Sequence, residues 1–235
     1  MCRLALMNNT GIKYLEQITG LVNFFDYLEQ SLGGHGNGCC MILNNNKRII
    51  KKGVKLSNTN IVADIKNNIE DIKWLMYHTR LASIGNINNN NCHPFKDHNG
   101  NILMMNGTEH GVKNFITDNT TDTEAILNIC YDLNISLINA TKKMTSVFIG
   151  CEGKKVFVNK NNGALKFLTN ENNEIIFASD FPLELYNTEK IYIAPGSWVE
   201  GEKINIEILK KDEYNKTKNK SYTEYKNYKF SEWDF

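Results

Sequence analysis

Cys2 has the strongest claim to chemistry in this sequence. It follows Met1, and a methionine ahead of a residue as small as cysteine is normally trimmed. Trimming puts a thiol and a free α-amino group on one residue, a nucleophile that carries its own base. The thiolate is the reactive form of cysteine, and an α-amine with a reference pKa of about 7.7–8.0 is partly neutral near pH 7. Three other positions supply what an acyl transfer needs. Arg80 stands at the end of a buried apolar run, and its planar guanidinium matches a carboxylate through two parallel hydrogen bonds. Asn106-Gly107 closes the run Ile-Leu-Met-Met; a side-chain amide and a glycine N–H make a converging pair of donors for an oxyanion, and glycine permits close approach. Asp122 sits near the start of a helix, where its carboxylate can accept from a substrate ammonium.

The elements that must position these residues come in blocks. Residues 2–7 form a short apolar strand. Residues 14–32 carry apolar side chains at helical spacing, broken by Gly33 and Gly34. Residues 39–44 and 47–53 read as a hairpin around an Asn-rich turn. Residues 62–73 predict a second helix, 74–83 a buried strand running into a loop, and 102–107 another short strand. Thr121-Asp122-Thr123-Glu124 is an N-cap with acid in the first turn, opening a third helix over 124–133 with more helix through 144. Strand candidates follow at 146–151, 154–160, 165–170, 174–180, 190–196 and 203–211. Helices fall in the first 145 residues and strands dominate the rest, an α+β arrangement of helices on antiparallel sheets.

The bulk properties narrow the setting. The chain has 235 residues, 41% of them hydrophobic, and a net charge of +1, enough for one large domain or two small ones and no reason to expect nucleic acid or an anionic membrane as partner. No apolar stretch approaches the roughly 20 residues that cross a bilayer. The N-terminus lacks a signal-peptide core, which suits a cytoplasmic protein whose cysteines stay reduced. The six cysteines form no Cys-x-x-Cys pair. Cys92 and His93 with His98 fit no standard metal spacing, and there is no phosphate-cradling glycine loop or nucleotide fingerprint, so neither metal nor cofactor is expected. The asparagine runs at 44–46 and 88–91 read as loops. The last 25 or so residues are polar and aromatic, a loose tail or closing strands.

Taken in order, these motifs resemble a class II glutamine amidotransferase domain of the N-terminal nucleophile hydrolase superfamily. The resemblance rests on Cys2, on His78-Thr79-Arg80-Leu81-Ala82-Ser83-Ile84-Gly85, on Asn91-Cys92-His93-Pro94, on Asn106-Gly107 and on Asp122-Thr123-Glu124, with Ala178-Ser179-Asp180 similar to a closing core strand. The order and spacing agree over residues 2–208, and the segments around Cys2, His35-Gly36-Asn37-Gly38 and Cys92-His93 lean toward the compact stand-alone branch. The resemblance implies a four-layer αββα sandwich, two antiparallel sheets between helical layers, in a domain over 2–208 with a tail or closing strands over 209–235. It implies that Cys2 attacks the side-chain amide of L-glutamine to form a thioester, releasing ammonia and then glutamate. Asn106 and Gly107 would hold the oxyanion, Arg80 the substrate carboxylate, Asp122 its ammonium, and Ser83 would lie near the carboxylate. Three positions depart from the family pattern: Met105 replaces a histidine, while Ile84 and Leu81 stand where some members carry histidine and tryptophan.

The resemblance leaves three functions open: a glutaminase feeding ammonia to a separate synthase subunit, a self-sufficient γ-glutamyl amide hydrolase, and a non-catalytic glutamine-binding module. Plainer readings accompany several residues. His78 reads as a core histidine and His93 as a loop-ordering residue. Cys39 and Cys40 read as small core residues, and Trp74, Trp198 and Trp233 as packing residues. His35-Gly36-Asn37-Gly38 reads equally as pocket lining or as a turn.

Overall fold

Nearly every strand here is apolar on both faces, and that pattern follows from how the sheets are covered. The computed structural model of the protein describes residues 2–117 and 119–212. In chain order the elements are β1 (Arg3–Asn8), α1 (Asn9–Ile18), α2 (Leu21–Leu32), β2 (Asn37–Leu43), β3 (Arg48–Gly53), α3 (Asn58–Asn68), β4 (Ile72–Thr79), β5 (Phe95–Lys96) and β6 (Ile102–Asn106). Then come α4 (Asp122–Asp132), α5 (Leu137–Thr141), β7 (Val147–Glu152), β8 (Lys155–Lys160), β9 (Lys166–Leu168), β10 (Ile176–Ala178), α6 (Leu183–Thr188), β11 (Ile191–Ile193) and β12 (Ser197–Val199). Among the described residues the strands make a seven-stranded sheet, β11-β9-β10-β1-β4-β2-β3, and a five-stranded sheet, β12-β8-β7-β6-β5. The pairings are antiparallel.

Three apolar clusters fill the three spaces between four layers. In β1, Ala5 and Met7 pack with Phe24, Phe25 and Ile61 of the helices over the seven-stranded sheet. The alternate residues Leu4 and Leu6 pack between the sheets with Met104, Ile149 and Val158. On the outer face of the five-stranded sheet, Leu103, Met105, Phe148 and Phe157 meet Ile126 and Leu127 of α4 and Leu137 of α5. Successive strand side chains point to opposite faces, so strands covered on both sides read as unbroken apolar runs. This is the αββα sandwich that the resemblance implies.

Local details correct several expectations. The helix expected over 14–32 is two helices. Asn8 caps α1 by accepting the Gly11 N–H, so it starts at Asn9, and Gly20, at φ 76°, turns the chain between α1 and α2. Ser57 caps α3 through the Asn60 N–H; that helix ends by Asn68, and Ile72 and Lys73, assigned to helix from sequence, open β4. Thr121 caps α4 as expected, accepting the Glu124 N–H. The strand expected over 203–211 is mostly absent. Ile206–Ile208 form a 3-10 turn with Ile208 left 78% exposed, while Ile204 and Leu209 pack against the inter-sheet cluster without strand pairing. The short helix α6 and strand β12 go unforeseen.

Residues 209–212, expected to begin a tail or closing strands, are joined to β11. Lys210 accepts the Ile193 N–H at 2.8 Å and Asp212 donates its N–H to Ile191 at 2.9 Å, while the Asp212 carboxylate meets Lys166 at 2.9 Å. The rest of that expected segment, residues 213–235 with Trp233, lies outside the described residues.

One end of the inter-sheet space is closed by rings. Phe177 lies between Phe167 and Trp198, with centroids 4.8 and 5.2 Å away, and Trp198 meets Trp74 edge-on at 5.7 Å. Phe177 is fully buried. Phe177→Ala removes a ring shared by both sheets, so urea unfolding is expected to show a loss of about 3–5 kcal/mol; a loss below about 1 kcal/mol would contradict this packing.

Candidate active site

The other end of the inter-sheet space is polar, and strand parity explains why. Leu4 and Leu6 of β1, Trp74 and Met76 of β4, and Ile102 and Met104 of β6 all face the space between the sheets. Continuing each alternation to the strand end places Cys2, His78 and Asn106 on that same face, with Arg80 one step beyond β4. The pairing Arg3 with Thr79 sets Cys2 beside the residues that follow β4.

Contacts at this end form a continuous circuit. The Leu81 N–H donates to Cys2 Sγ at 3.3 Å. Two residues on, Ser83 Oγ lies 3.2 Å from Thr108 Oγ1. The next residue, Glu109, donates its N–H to Asp122 Oδ2 at 2.9 Å, and Asp122 Oδ1 accepts the Thr123 N–H at 3.0 Å. Asn106 and Gly107 lead directly into Thr108. The structure therefore brings Cys2, Arg80, Ser83, Asn106, Gly107 and Asp122 to one end of the sandwich. All are buried except Ser83, which is exposed, and Gly107, which is half-buried.

Each charge-bearing group pays for burial. The Cys2 thiol is pushed up chiefly by burial, opposed by the Leu81 N–H and the Arg80 guanidinium. Asp122 is raised by burial, opposed by the N–H groups it accepts. Burial lowers Arg80. Its guanidinium donates to the carbonyls of Asn86 at 2.9 Å, Ile84 at 2.7 Å and Gly85 at 3.2 Å, so it organises the loop after β4.

Gly107 is held at φ 145°, and a Cβ there would lie 2.2 Å from Ser146 Oγ, so only glycine fits. The residue that sets this contact is Glu109, which the sequence reading missed. Its Oε1 accepts from Thr145 N and Oγ1 and from Ser146 N at 2.6–2.9 Å, fixing the start of β7 against the end of β6. The one signal for it was an acid directly after Asn-Gly-Thr.

Beneath the circuit lies a pair of imidazoles. His78 and His93 stack with centroids 4.0 Å apart. A carbonyl can only accept, so His78 Nε2 donates to Met105 O at 3.2 Å, a direct tie between the two sheets. His93 Nε2 lies 2.8 Å from Thr123 Oγ1 on α4, the residue after Asp122. The turn is confined to His35 and Gly36, since Asn37 and Gly38 open β2, and both glycines allow close approach: a Cβ would lie 2.4 Å from Cys92 Sγ at Gly36 and 2.0 Å from His93 O at Gly38. Cys92 Sγ donates to Asn88 O and His98 packs on Tyr131. Among the described residues no group of three metal-ligating side chains occurs, and no helix is long and apolar enough to cross a membrane. Cavities of about 320 Å³ beside Asp97 and Glu152, and about 360 Å³ beside Asn9 and Trp74, are lined by none of Cys2, Arg80, Ser83, Asn106, Gly107 and Asp122.

No protein-family model matches the sequence, and no curated protein matches it. Solved structures do match in fold. The chain is similar to a glutamine phosphoribosylpyrophosphate amidotransferase from B. subtilis, at 16% identity and a TM-score of 0.56, over 92% of this chain and 50% of that one. This chain thus spans about half the length of that protein. A glutamine aminotransferase class-II domain protein from Silicibacter pomeroyi aligns at 14% identity and a TM-score of 0.48, over 91% of this chain and 100% of that one. The first likeness shows the fold, an αββα sandwich.

The imidazole pair makes stability acid-sensitive. Burial lowers His78 to about 3, opposed by the Met105 carbonyl and reinforced by Arg80, and lowers His93 well below 6.5, reinforced by His78, Arg80 and Lys52. Above pH 6.5 both are neutral whether folded or unfolded and cost nothing. Below it the unfolded chain takes up protons that the folded chain refuses, so stability falls as pH drops from 6.5 toward 3. Urea unfolding is expected to show about 3 kcal/mol less stability at pH 5.5 than at pH 7.5 from the pair; a flat profile would refute the neutral stack.

Proposed function

We propose that this chain is a class II glutamine amidotransferase domain that hydrolyses the side-chain amide of L-glutamine. The observation that carries the reading is the circuit from Cys2 through residues 81–83 and 108–109 to Asp122. It joins Cys2, Ser83 and Asp122, and the chain beside Arg80 and Asn106-Gly107, at one end of a fold shared with a glutamine amidotransferase.

With Met1 removed, the α-amine of Cys2 takes the thiol proton as sulfur attacks the amide carbon of glutamine. The Asn106 amide and the Gly107 N–H stabilise the oxyanion of the tetrahedral intermediate. As it collapses, the C–N bond breaks, the α-ammonium returns its proton to the leaving nitrogen, and ammonia departs from a glutamyl thioester. Water then attacks the thioester, giving up a proton to the α-amine. The C–S bond breaks, glutamate leaves and the thiol regains its proton. Arg80 clamps the α-carboxylate with the donors its own loop does not use, Ser83 lies beside that carboxylate, and Asp122 accepts from the α-ammonium. Burial raises the Cys2 thiol, so an adjoining base is needed at neutral pH, and the α-amine is that base.

Ammonia passes to a separate synthase subunit in this reading, and the six free cysteines suit a reducing, cytoplasmic setting. Protein whose intact mass shows Met1 absent is expected to release glutamate from L-glutamine, and Cys2→Ser to abolish release. Asn106→Ala is expected to lower kcat about 10²–10³-fold. Asp122→Asn is expected to raise KM more than it lowers kcat. Glutamate release that survives Cys2→Ser would sink the proposal, as would an absence of release from both glutamine and γ-glutamyl amides.

A further inference from the structure

The ladder between β2 and β4 continues past the strand ends in an unusual way. The last strand pair is Asn37 with Thr79. Beyond it the Arg80 N–H donates to Gly36 O at 2.8 Å, and the His35 N–H donates to Arg80 O at 2.9 Å. The next N–H on that side belongs to Ala82, and it donates to a side chain, His35 Nδ1, at 2.9 Å. A backbone N–H can only donate, so Nδ1 is the acceptor and the neutral ring carries its proton on Nε2.

In extended backbone, successive N–H groups point to opposite sides. Tying residues 80 and 82 to the 35–36 segment therefore aims the N–H between them the other way. That group is Leu81 N–H, and it lies 3.3 Å from Cys2 Sγ. The geometry points to His35 as a positioning residue for the nucleophile: its Nδ1 pins the Ala82 amide and so holds the Leu81 N–H on the sulfur. This inference rests on Cys2 being the nucleophile of the proposed reaction.

A donor held on sulfur favours the thiolate over the thiol, since a hydrogen bond to a charged acceptor is the stronger one. Without an acceptor at position 35, the Ala82 amide turns to water and the Leu81 N–H loses its fixed direction. The neighbouring backbone places the ring for this task. Gly34 and Gly36 have φ of 96° and 128°, and at Gly36 a side chain would meet Cys92 Sγ, so the chain bends sharply on both sides of His35.

Asparagine and glutamine separate this role from mere bulk. In Asn, Oδ1 takes the place of Nδ1 and can accept from Ala82; in Gln, Oε1 reaches instead toward the place of Nε2. We compare His35→Asn, His35→Gln and His35→Ala with the parent by the rate of iodoacetamide alkylation at Cys2, resolved by peptide mass across pH, alongside glutamate release and thermal melting. His35→Asn is expected within about twofold of the parent. Gln and Ala variants are expected to react about tenfold more slowly at pH 7, with the alkylation profile moved up by about one pH unit and melting little changed. If Asn and Ala variants alkylate alike, whether both fast or both slow, the inference is overturned. If the expected order appears while no protein releases glutamate, the positioning role stands and the glutaminase reading falls. If the parent releases glutamate but the order is absent, the positioning role falls alone.

Discussion

The antiparallel register of β1 on β4, Arg3 opposite Thr79, is the constraint on which the rest depends. It brings the second residue of the chain against residues 80 and 81, and nothing local in the sequence could do so. Two-sided burial enforces it. A slip of one residue would send Leu4 and Leu6 to the helix side and Ala5 and Met7 between the sheets, exchanging side chains of unequal volume in two packed cores. The same slip would turn Cys2 away from the inter-sheet face. Core packing on β1 therefore also aims the thiol. Ser179 adds a second lock on the other side of β1, where its hydroxyl and N–H take the Leu4 N–H and carbonyl.

Electrostatics at the polar end follow from burial without complete pairing. Burial disfavours the charge on Cys2, on Asp122 and on Arg80 alike. The protein answers with backbone dipoles: two N–H groups on Asp122, three carbonyls on Arg80, one N–H on Cys2. Fixed dipoles cost no reorganisation when charge changes during a reaction. They also leave an acidic and a basic group in one small region, an arrangement complementary to a substrate that bears both an ammonium and a carboxylate. In the proposed function that complementarity gives glutamine its orientation.

What the sequence made legible was chemistry carried by residue type and order. Cys2, Arg80 and Asn106-Gly107 stand at strand ends that the apolar runs locate, and Asp122 at a helix start that Thr121 announces by an N-cap. The blanks have physical causes as well. Glu109 acts on Ser146 through a contact 37 residues distant, and no local pattern encodes it. His35 looked equally like a turn or a pocket wall because its function is an acceptor atom for a backbone 47 residues away. The α1 start was hidden because Asn8 and Gly11 have loop-like propensities, yet one Asn side chain satisfies both the Gly11 N–H and the Ile175 N–H. The alternating isoleucines of 203–211 misled in the opposite sense, since period-2 apolarity marks side chains that pack, and Ile204 and Leu209 pack without strand pairing.

The inter-sheet space is packed differently at its two ends, and the difference separates holding the fold from serving the site. At the far end Phe167, Phe177, Trp74 and Trp198 join the sheets through apolar area, which is indifferent to pH. At the near end that solution is closed, because an apolar plug would fill the ground that Cys2, Asn106 and Arg80 occupy. The sheets are tied there instead by His78 on the Met105 carbonyl, with His93 stacked beneath and reaching α4. A buried ion pair in that position would add charges beside the thiol and carry a desolvation cost that its own attraction need not repay. Two neutral rings tie β4, β6 and α4 together and leave the local field to Arg80 and Asp122. The choice carries a liability under acid, when a proton on either ring would meet a low-dielectric surround and the Arg80 cation. At neutral pH the rings stay uncharged, and the polar end keeps a rigid floor that does not compete with the groups above it.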